Sequence, residues 1–431
     1  AHRTKLAQGH QKSAHFPALF QFCSVCSLRK KKMAKREEWD PTDLDNEMSA
    51  EEKDAQRVQW MFGDKDLMFR DHPAFECLDD SSKLKLAGMA QVSLEAAMPW
   101  KRVADVKPNL AWYTPTCTAE DWKHKDVMLE IGQGIAYVTL NRPDFQNTLN
   151  DTIMHGLMDA VFAMHARKDV RIVCFCAKGP MYCAGADPVV FKNMRSGKHG
   201  LSDDGSTGKN PVPKKPQSKE AAEVFQKLCQ DAKDNGAFGD GEIIEDQVRE
   251  CLFWQTMTRL PQITVGMVQG SVVGTGLFLV SCVDMSYAVS NSFYQMPDLK
   301  QGFVPAILLP HLCQKLGPSN GRYVALTGLN LNAEEAKSVG LVQEICADEA
   351  GMHAKLADLC EAVTGCGPRS VESCKELING VAGNPITEKI MFFTGGLLAK
   401  VTVSDEAAVS MVCLQKKIPK PWEEKPITPF K

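Results

Sequence analysis

Short β-rich runs that alternate with helical segments constrain the fold of this chain more than any other feature. Ile135 to Leu140 forms one such run, and Arg171 to Ala177 forms a second. Between them, a segment that opens at Asn150 or Asp151 repeats apolar residues at helical spacing. A further run, Ile263 to Val268, follows later. The order of strand, helix and strand predicts a layered α/β fold.

The composition excludes several classes of function. The 431 residues carry 50 Lys and Arg against 53 Asp and Glu, a net charge of −3, so no nucleic-acid partner is predicted. The 16 Cys lack the spacing of a disulfide framework, which favours a reducing compartment and an intracellular, soluble protein. The uncharged stretch between Arg259 and Asp284 is long enough to cross a bilayer. Its Pro and Gly residues favour a buried strand, turn and helix instead, so no membrane span is predicted.

Changes in composition divide the chain into four predicted parts. The parts are residues 1–45, a disordered, targeting or read-through segment; 46–126, an accessory helical extension; 127–345, the core, with a disordered insertion at 196–219; and 346–431, a helical region and tail. Residues 1–32 are basic and lack acidic side chains, as in a transit peptide, which would place the protein in mitochondria or plastids and otherwise in the cytoplasm. A CxxC pair at Cys23 and Cys26 has no second pair at zinc spacing, and no metal site is predicted.

Three segments of the core carry candidate chemistry. Cys183 to Asp187 (CAGAD) follows a strand and a turn, and its small residues leave backbone N–H groups free to approach a ligand. Gln269 to Gly276 (QGSVVGTG) leaves a strand and enters an apolar helix, Leu277 to Val283, whose first N–H groups are donors to negative charge. In the third segment, Met296 to Pro305, Asp298 lies in an apolar stretch, where burial raises a carboxyl pKa. Taken alone, each segment is better explained without function: the first as a glycine turn, the second as a turn that packs closely against a helix, and the third as a loop with an exposed Asp.

Taken in order, these segments resemble the crotonase superfamily, also called the enoyl-CoA hydratase/isomerase family. The resemblance covers about Val127 to Ile345 and includes GIAYVTLNRPDFQNTLN, CAGAD, VQGSVVGTG, PDLKQGFVP and LTGLNLNAEEAKSVGLV. It implies a crotonase-type spiral of ββα units with a C-terminal helical region that forms a homotrimer or hexamer. It also implies a thioester substrate of coenzyme A or an acyl carrier protein, with coenzyme A or phosphopantetheine as part of the substrate and no separate cofactor.

The resemblance also assigns roles to individual residues. It implies that the backbone N–H groups of Ala186 and Thr275 hold the thioester carbonyl and stabilise the enolate that forms there. Asp298 occupies the place of the family's second catalytic carboxylate. Arg142, in the Asn-Arg-Pro turn, matches a position that borders the adenosine phosphate, and a simple β-to-α turn remains open for it. The remaining predicted substrate-binding residues are Ala184, Gly185, Gly274 and Phe278.

Two departures from the family pattern narrow the predicted reaction. Phe278 stands where the family hydratases carry their first catalytic carboxylate, and Thr275 stands where a glycine is usual. Only one of the two catalytic carboxylates of the family is therefore present, which disfavours a hydration mechanism that needs both. Two subfamilies keep only the second carboxylate, the enoyl-CoA isomerases and the hydratase-like dehydratases of polyketide β-branching. The stretch Ser292 to Pro310 looks more like the dehydratases, so hydration or dehydration is predicted. Two alternatives stay open: an enoyl-CoA double-bond isomerase, and a non-catalytic protein that binds thioesters or partners.

Overall fold

A computed structural model describes residues 107–188, 218–235 and 241–430, with the backbone alone for 241–244. All of them belong to one unit, Asp64–Lys431. The predicted segment 1–45 and most of the predicted insertion at 196–219 lie outside the described residues. The predicted accessory helices of 46–126 lie outside as well, except for 107–126, which form turns and bends and no helix. Ser218 caps the helix that begins at Lys219, so the end of the predicted insertion is ordered.

The main sheet has six strands in the order β1-β2-β3-β5-β7-β10. β1 and β2 form an antiparallel hairpin, and the other neighbours are parallel. The strands are β1 (Val127–Gly132), β2 (Ile135–Leu140), β3 (Ile172–Ala177), β5 (Ile263–Val268), β7 (Met285–Val289) and β10 (Glu344–Cys346). All six residues of β2 are buried, because both faces of this sheet are covered. The continuous apolar runs of the sequence therefore mark its central strands.

A second, smaller sheet holds the strands that follow β3, β5 and β7 along the chain. Its order is β4-β6-β8-β9, with the first three strands parallel and the last antiparallel. These strands are β4 (Met181–Cys183), β6 (Ser271–Val273), β8 (Phe293–Gln295) and β9 (Asn330–Asn332). Each of three main-sheet strands is thus continued by a strand of the small sheet. This repeat, with its intervening helices, is the predicted α/β spiral.

The described residues form ten α-helices. They are α1 (Asp151–Ala166), α2 (Lys219–Asp234), α3 (Gly241–Thr258), α4 (Phe278–Ser281), α5 (Leu308–Thr327), α6 (Ala333–Ser338), α7 (Glu349–Thr364), α8 (Pro368–Val381), α9 (Glu388–Thr402) and α10 (Asp405–Lys416). Asn150 caps α1, since its side chain accepts the Ile153 N–H at 3.0 Å. The predicted helix Leu277 to Val283 is shorter than expected, because a 3-10 turn (Gly274–Leu277) precedes α4. None of the ten is long and apolar enough to cross a lipid bilayer.

Two half-buried histidines lie beside the last turns of α3. His165 Nε2 is 3.2 Å from the Thr256 carbonyl oxygen, and His311 Nδ1 is 3.3 Å from the Thr258 hydroxyl. Burial is the main cause that lowers the pKa of each from 6.5 to about 4. Both imidazoles are therefore neutral in the folded chain at neutral pH.

These histidines predict a loss of stability in weak acid. Because their folded pKa lies below the unfolded value of 6.5, the unfolded chain binds more protons between pH 6.5 and pH 4. The free energy of unfolding should fall across this window as pH falls, and the stabilisation should be fully present above it. Urea unfolding between pH 8 and pH 4.5 measures this. The double variant His165→Gln, His311→Gln should have a shallower pH dependence, and an unchanged slope would contradict the assignment.

Candidate functional site

All three candidate segments lie at one edge of the small sheet. β4, β6 and β8 are parallel, so their carboxyl ends share that edge. β4 leads into the CAGAD loop, β6 into the 3-10 turn that contains Thr275, and β8 into the turn that contains Asp298. The fold therefore brings together residues that are separated by more than 100 positions in the chain. The structure places the candidate catalytic residues on neighbouring strand ends.

The CAGAD loop and the 3-10 turn touch through Gly185. Its φ is +91°, and an added Cβ would lie 2.6 Å from the Val273 carbonyl oxygen and 3.2 Å from the Thr275 nitrogen. An L side chain is therefore excluded both by backbone conformation and by space. Gly274, with a φ of +57°, approaches from the opposite turn, and its added Cβ would lie 4.0 Å from the Gly185 Cα. This close contact sets the backbone of Ala186 beside that of Thr275.

The N–H of Ala186 points away from its paired segment. Leu149 N donates to Gly185 O at 2.7 Å, and Asp187 N donates to Leu149 O at 3.1 Å. In this parallel bridge between Leu149 and Ala186, the Ala186 N–H faces the opposite side. Ala184 N donates to Gln146 O at 3.0 Å, which fixes the start of the loop as well. The loop is thus held by its other amides, and the Ala186 N–H is presented outward.

Thr275 offers a second backbone donor. It is the second residue of the 3-10 turn Gly274–Leu277, and the first N–H groups of such a turn have no acceptor within it. Its hydroxyl Oγ1 is closed to solvent and has no hydrogen-bond partner among the described residues. The side chain is therefore packed away, which leaves the backbone N–H as the group of Thr275 that could act as a donor.

Asp298 contributes the carboxylate at the end of β8, whereas the other carboxylate of the three strand ends, Asp187, is paired with Arg142. It opens the 3-10 turn Asp298–Gln301, directly after Pro297. Within the described structure its Oδ2 is closed to solvent and lacks a hydrogen-bond partner. Burial raises the pKa of this carboxyl above 3.8, and its own backbone N–H partly offsets the rise. A raised pKa with an unused oxygen is the state expected of a group that exchanges protons.

Phe278 does not provide a surface for substrate. It is 1% exposed and stacks on Trp254 of α3, with ring centroids 4.3 Å apart and planes at 5°. His311 lies edge-on to the same ring at 6.0 Å. The predicted contact between Phe278 and substrate is therefore corrected: the ring belongs to the core behind the 3-10 turn. An aromatic stack fills the place where the family pattern puts its first carboxylate.

Arg142 holds the CAGAD loop in place. Its guanidinium Nη1 donates to Asp187 Oδ2 at 2.8 Å and to the Thr148 hydroxyl at 3.0 Å, and the side chain is buried. The guanidinium also covers the ring of Phe145 at 4.0 Å. A buried, paired Arg is not available to a substrate phosphate in this arrangement. The alternative of a structural turn is therefore the one that the geometry favours, with Arg142 tying that turn to the residue after Ala186.

Sequence reasoning missed a second carboxyl near the aromatic stack. Glu250 precedes Trp254 by one turn of α3, and Trp254 Nε1 donates to Glu250 Oε1 at 3.5 Å. Burial is the main cause that raises the pKa of Glu250 above 4.5. Glu250, Phe253, Trp254 and Met257 recur at helical spacing, which is the signal that could have placed this carboxyl on the buried face.

Together these groups can stabilise and reprotonate an enolate. Two backbone N–H groups lie on adjacent segments, and such donors lower the energy of an oxyanion by about 3 kcal/mol each. One partly buried carboxylate ends the neighbouring strand. The described residues at this edge include no set of Cys, His and carboxylate ligands for a metal ion. The arrangement suits proton transfer next to a carbonyl group.

The sequence matches the profile of one protein family. The profile of the family described as Enoyl-CoA hydratase/isomerase matches residues 130–210 and 234–425. This span contains every candidate residue of the site and the four C-terminal helices up to Lys416.

Similar proteins have related descriptions at low identity. The bacillaene synthase dehydratase PksH of Bacillus subtilis is 22% identical over 226 residues, covering 52% of this chain and 70% of that protein. The "Probable enoyl-CoA hydratase EchA12" of Mycobacterium tuberculosis is 25% identical over 231 residues, covering 53% of this chain and 66% of that protein. The chain thus spans about two thirds of the length of these relatives.

Solved structures confirm the fold. Pseudomonas aeruginosa AtuE superposes with a TM-score of 0.55 at 20% identity, covering 69% of this chain and all of that chain. An enoyl-CoA hydratase from Shewanella pealeana gives a TM-score of 0.56 at 18% identity, covering 71% of this chain and all of that chain. At these identities the likeness establishes the architecture, which is the one predicted from the sequence.

Proposed function

The chain belongs to the enoyl-CoA hydratase/isomerase family, and from that premise we propose that it dehydrates a 3-hydroxyacyl thioester, or hydrates the corresponding enoyl thioester, with Asp298 as its acid-base group. The observation that supports the proposal is that Ala186, Thr275 and Asp298 all follow parallel strands whose carboxyl ends share one sheet edge, and that one Asp298 carboxylate oxygen is buried without a partner among the described residues. The similarity to a dehydratase, PksH, supports this direction of reaction.

A single carboxylate can complete a dehydration. The ionised Asp298 takes the proton from the α-carbon, and the two N–H groups hold the resulting enolate oxygen. The same carboxyl, now protonated, gives its proton to the departing 3-hydroxyl, which leaves as water while the carbon–carbon double bond forms. The carboxylate is regenerated, so the proton balance closes without a second residue. The thioester substrate, from coenzyme A or an acyl carrier protein, is the only other component that this reaction requires.

A panel of thioesters tests the proposal. Purified protein is incubated with enoyl, 3-hydroxyacyl and 3-hydroxyglutaryl thioesters of coenzyme A and of a carrier protein, and the mass of each product is recorded. Gain or loss of 18 mass units supports hydration or dehydration, whereas a shifted double bond at unchanged mass supports the isomerase. Binding without turnover of any member, and without exchange of α-protons in heavy water, would favour a non-catalytic thioester-binding protein.

The C-terminal helices support an oligomer. These helices expose more large apolar side chains than is usual for the surface of a monomeric protein. The side chains lie on α8, α9, α10 and the connection between α8 and α9: Ile378, Ile386, Met391, Phe392, Leu398, Met411 and Leu414. Family members assemble through this region, so we propose a homotrimer or hexamer.

Sedimentation tests this assembly directly. We expect a trimer or hexamer at micromolar concentration, because contact between copies would remove the apolar side chains from water. Leu398→Lys, at a position that is 68% exposed, should shift the distribution towards monomer with little change in the fold of each chain. A single monomeric species for the unaltered protein would contradict the proposal.

A further inference from the structure

A second cluster of reactive side chains lies where the segment before β1 crosses helix α1. The cluster consists of Cys117, His124 and Asp159, and one ligand atom from each lies within 4.8 Å of the others. Asp159 Oδ2 is 2.8 Å from His124 Nε2 and 3.5 Å from Cys117 Sγ. Cys117 and Asp159 are buried, and the His124 side chain is 14% exposed. The three ligand atoms therefore lie close together in a largely buried position.

The chain makes room for this cluster on the face of α1. Gly156 lies one turn before Asp159, and a Cβ there would lie 2.7 Å from Val127 Cβ and 3.3 Å from the His124 ring. A larger residue at position 156 would keep His124 from the helix. Because Gly156 has no side chain, the His124 imidazole can reach the Asp159 carboxylate, so the position of the imidazole is set by the surrounding structure.

Other donors fix the carboxylate that would be the central ligand. The Tyr113 hydroxyl donates to Asp159 Oδ1 at 2.6 Å, the Thr116 backbone N–H donates to both carboxylate oxygens, and the Thr116 hydroxyl donates to Oδ2. Metal-binding carboxylates are commonly oriented by such outer hydrogen bonds. Besides its contacts with Thr116, Oδ2 faces Cys117 Sγ and His124 Nε2, and a cation would lie between these three atoms.

We propose that Cys117, His124 and Asp159 bind one zinc-like divalent cation. A thiolate and an imidazole favour zinc over magnesium or calcium, and a thiolate with a carboxylate balances its two positive charges in a buried place. Tetrahedral zinc sets neighbouring ligand atoms about 3.3 to 3.7 Å apart. The 3.5 Å between Cys117 Sγ and Asp159 Oδ2 fits this spacing, and His124 Nε2 has to move outward by roughly half an ångström. A water molecule completes the fourth position.

The cation would have a structural role and not a catalytic one. Cys117 and His124 precede residue 130, where the family match begins, and Asp159 lies within the matched span. Asp159 is also near the C-terminal half of α1, whereas the candidate catalytic edge adjoins the N-terminal end of that helix at Leu149. The cation therefore fastens the preceding segment to the family core and takes no part in proton transfer.

Metal analysis of the full chain tests the proposal. The protein is freed of metal with a chelator, dialysed against zinc chloride and then against metal-free buffer, and its zinc content is measured by mass spectrometry. Cobalt(II) is added to a second sample, where a thiolate-to-cobalt absorption band reports binding through Cys117. We expect about one zinc per chain and a cobalt band.

Matched variants assign the ligands. Cys117→Ser and His124→Gln should each lower zinc affinity at least about a hundredfold, and Cys117→Ser should abolish the cobalt band. The control Cys374→Ser, at an exposed cysteine, should keep both signals. Circular dichroism confirms that each variant is folded. Less than about one tenth of a zinc per folded chain, or unchanged zinc affinity in Cys117→Ser, would overturn the proposal, and would show that the cluster is only a hydrogen-bonded network around Asp159.

Discussion

Replacing Asp298 by Asn should lower turnover at least about a hundredfold while thioester affinity stays within a few fold. The amide keeps the shape of the side chain and removes the base. The two N–H donors belong to the backbone of Ala186 and Thr275, so the carbonyl-binding position should remain. Steady-state kinetics on whichever panel thioester the parent turns over, with calorimetry for binding, separates the two effects.

The pH profile gives the same variant a second readout. Because burial raises the pKa of Asp298, the acidic limb of turnover in the parent should lie above pH 3.8 and should disappear in the residual activity of the Asn variant. Asp358→Asn, at a side chain that is 73% exposed, is the matched control and should retain parental rates. Turnover of Asp298→Asn within threefold of the parent would remove this carboxylate from the mechanism and favour a binding protein.

Gly185→Ala should reduce turnover by about a hundred- to a thousandfold, the effect expected when one oxyanion donor is lost. The added Cβ would lie 2.6 Å from the Val273 carbonyl oxygen, so the CAGAD loop has to move away from the turn that holds Thr275. The donors at positions 186 and 275 would then no longer meet. Turnover and the affinity of a non-reactive thioester should both fall.

A second glycine separates this clash from backbone strain. Gly340 has a φ of +90°, close to the +91° of Gly185, and an added Cβ there meets nothing within 4 Å. Gly340→Ala therefore has the same strain, about 1 kcal/mol, without the clash. Backbone strain should lower the thermal stability of both variants by a similar amount, whereas only Gly185→Ala should also lose activity. Equal activities of the two variants would contradict the proposed approach of the loops.

Local patterns in the sequence predicted the central elements well. The runs Ile135 to Leu140 and Ile263 to Val268 are strands with those bounds, because their apolar residues are buried on both faces of the sheet. The helix start at Asn150 was also predictable, because its cap joins residues only three positions apart, Asn150 and Ile153.

Contacts between distant residues could not be read in this way. Arg142 pairs with Asp187 across 45 positions, and His124 contacts Asp159 across 35. The stack of Phe278 on Trp254 likewise depends on how α3 packs against α4. Periodicity carries no information on such pairs. The convergence of the three strand ends was predicted only because the motifs resembled a known family.

The stack of Phe278 on Trp254 also limits how this chain could change. A single Phe278→Glu substitution would not recreate a pair of catalytic carboxylates, because the new charge would lie against an indole ring at a position that is 1% exposed. Burying an unpaired carboxylate costs several kcal/mol. Trp254 would have to be replaced at the same time by a smaller residue that admits water. The route to a two-carboxylate enzyme therefore crosses an epistatic barrier, in which each of two substitutions is harmful until the other is present.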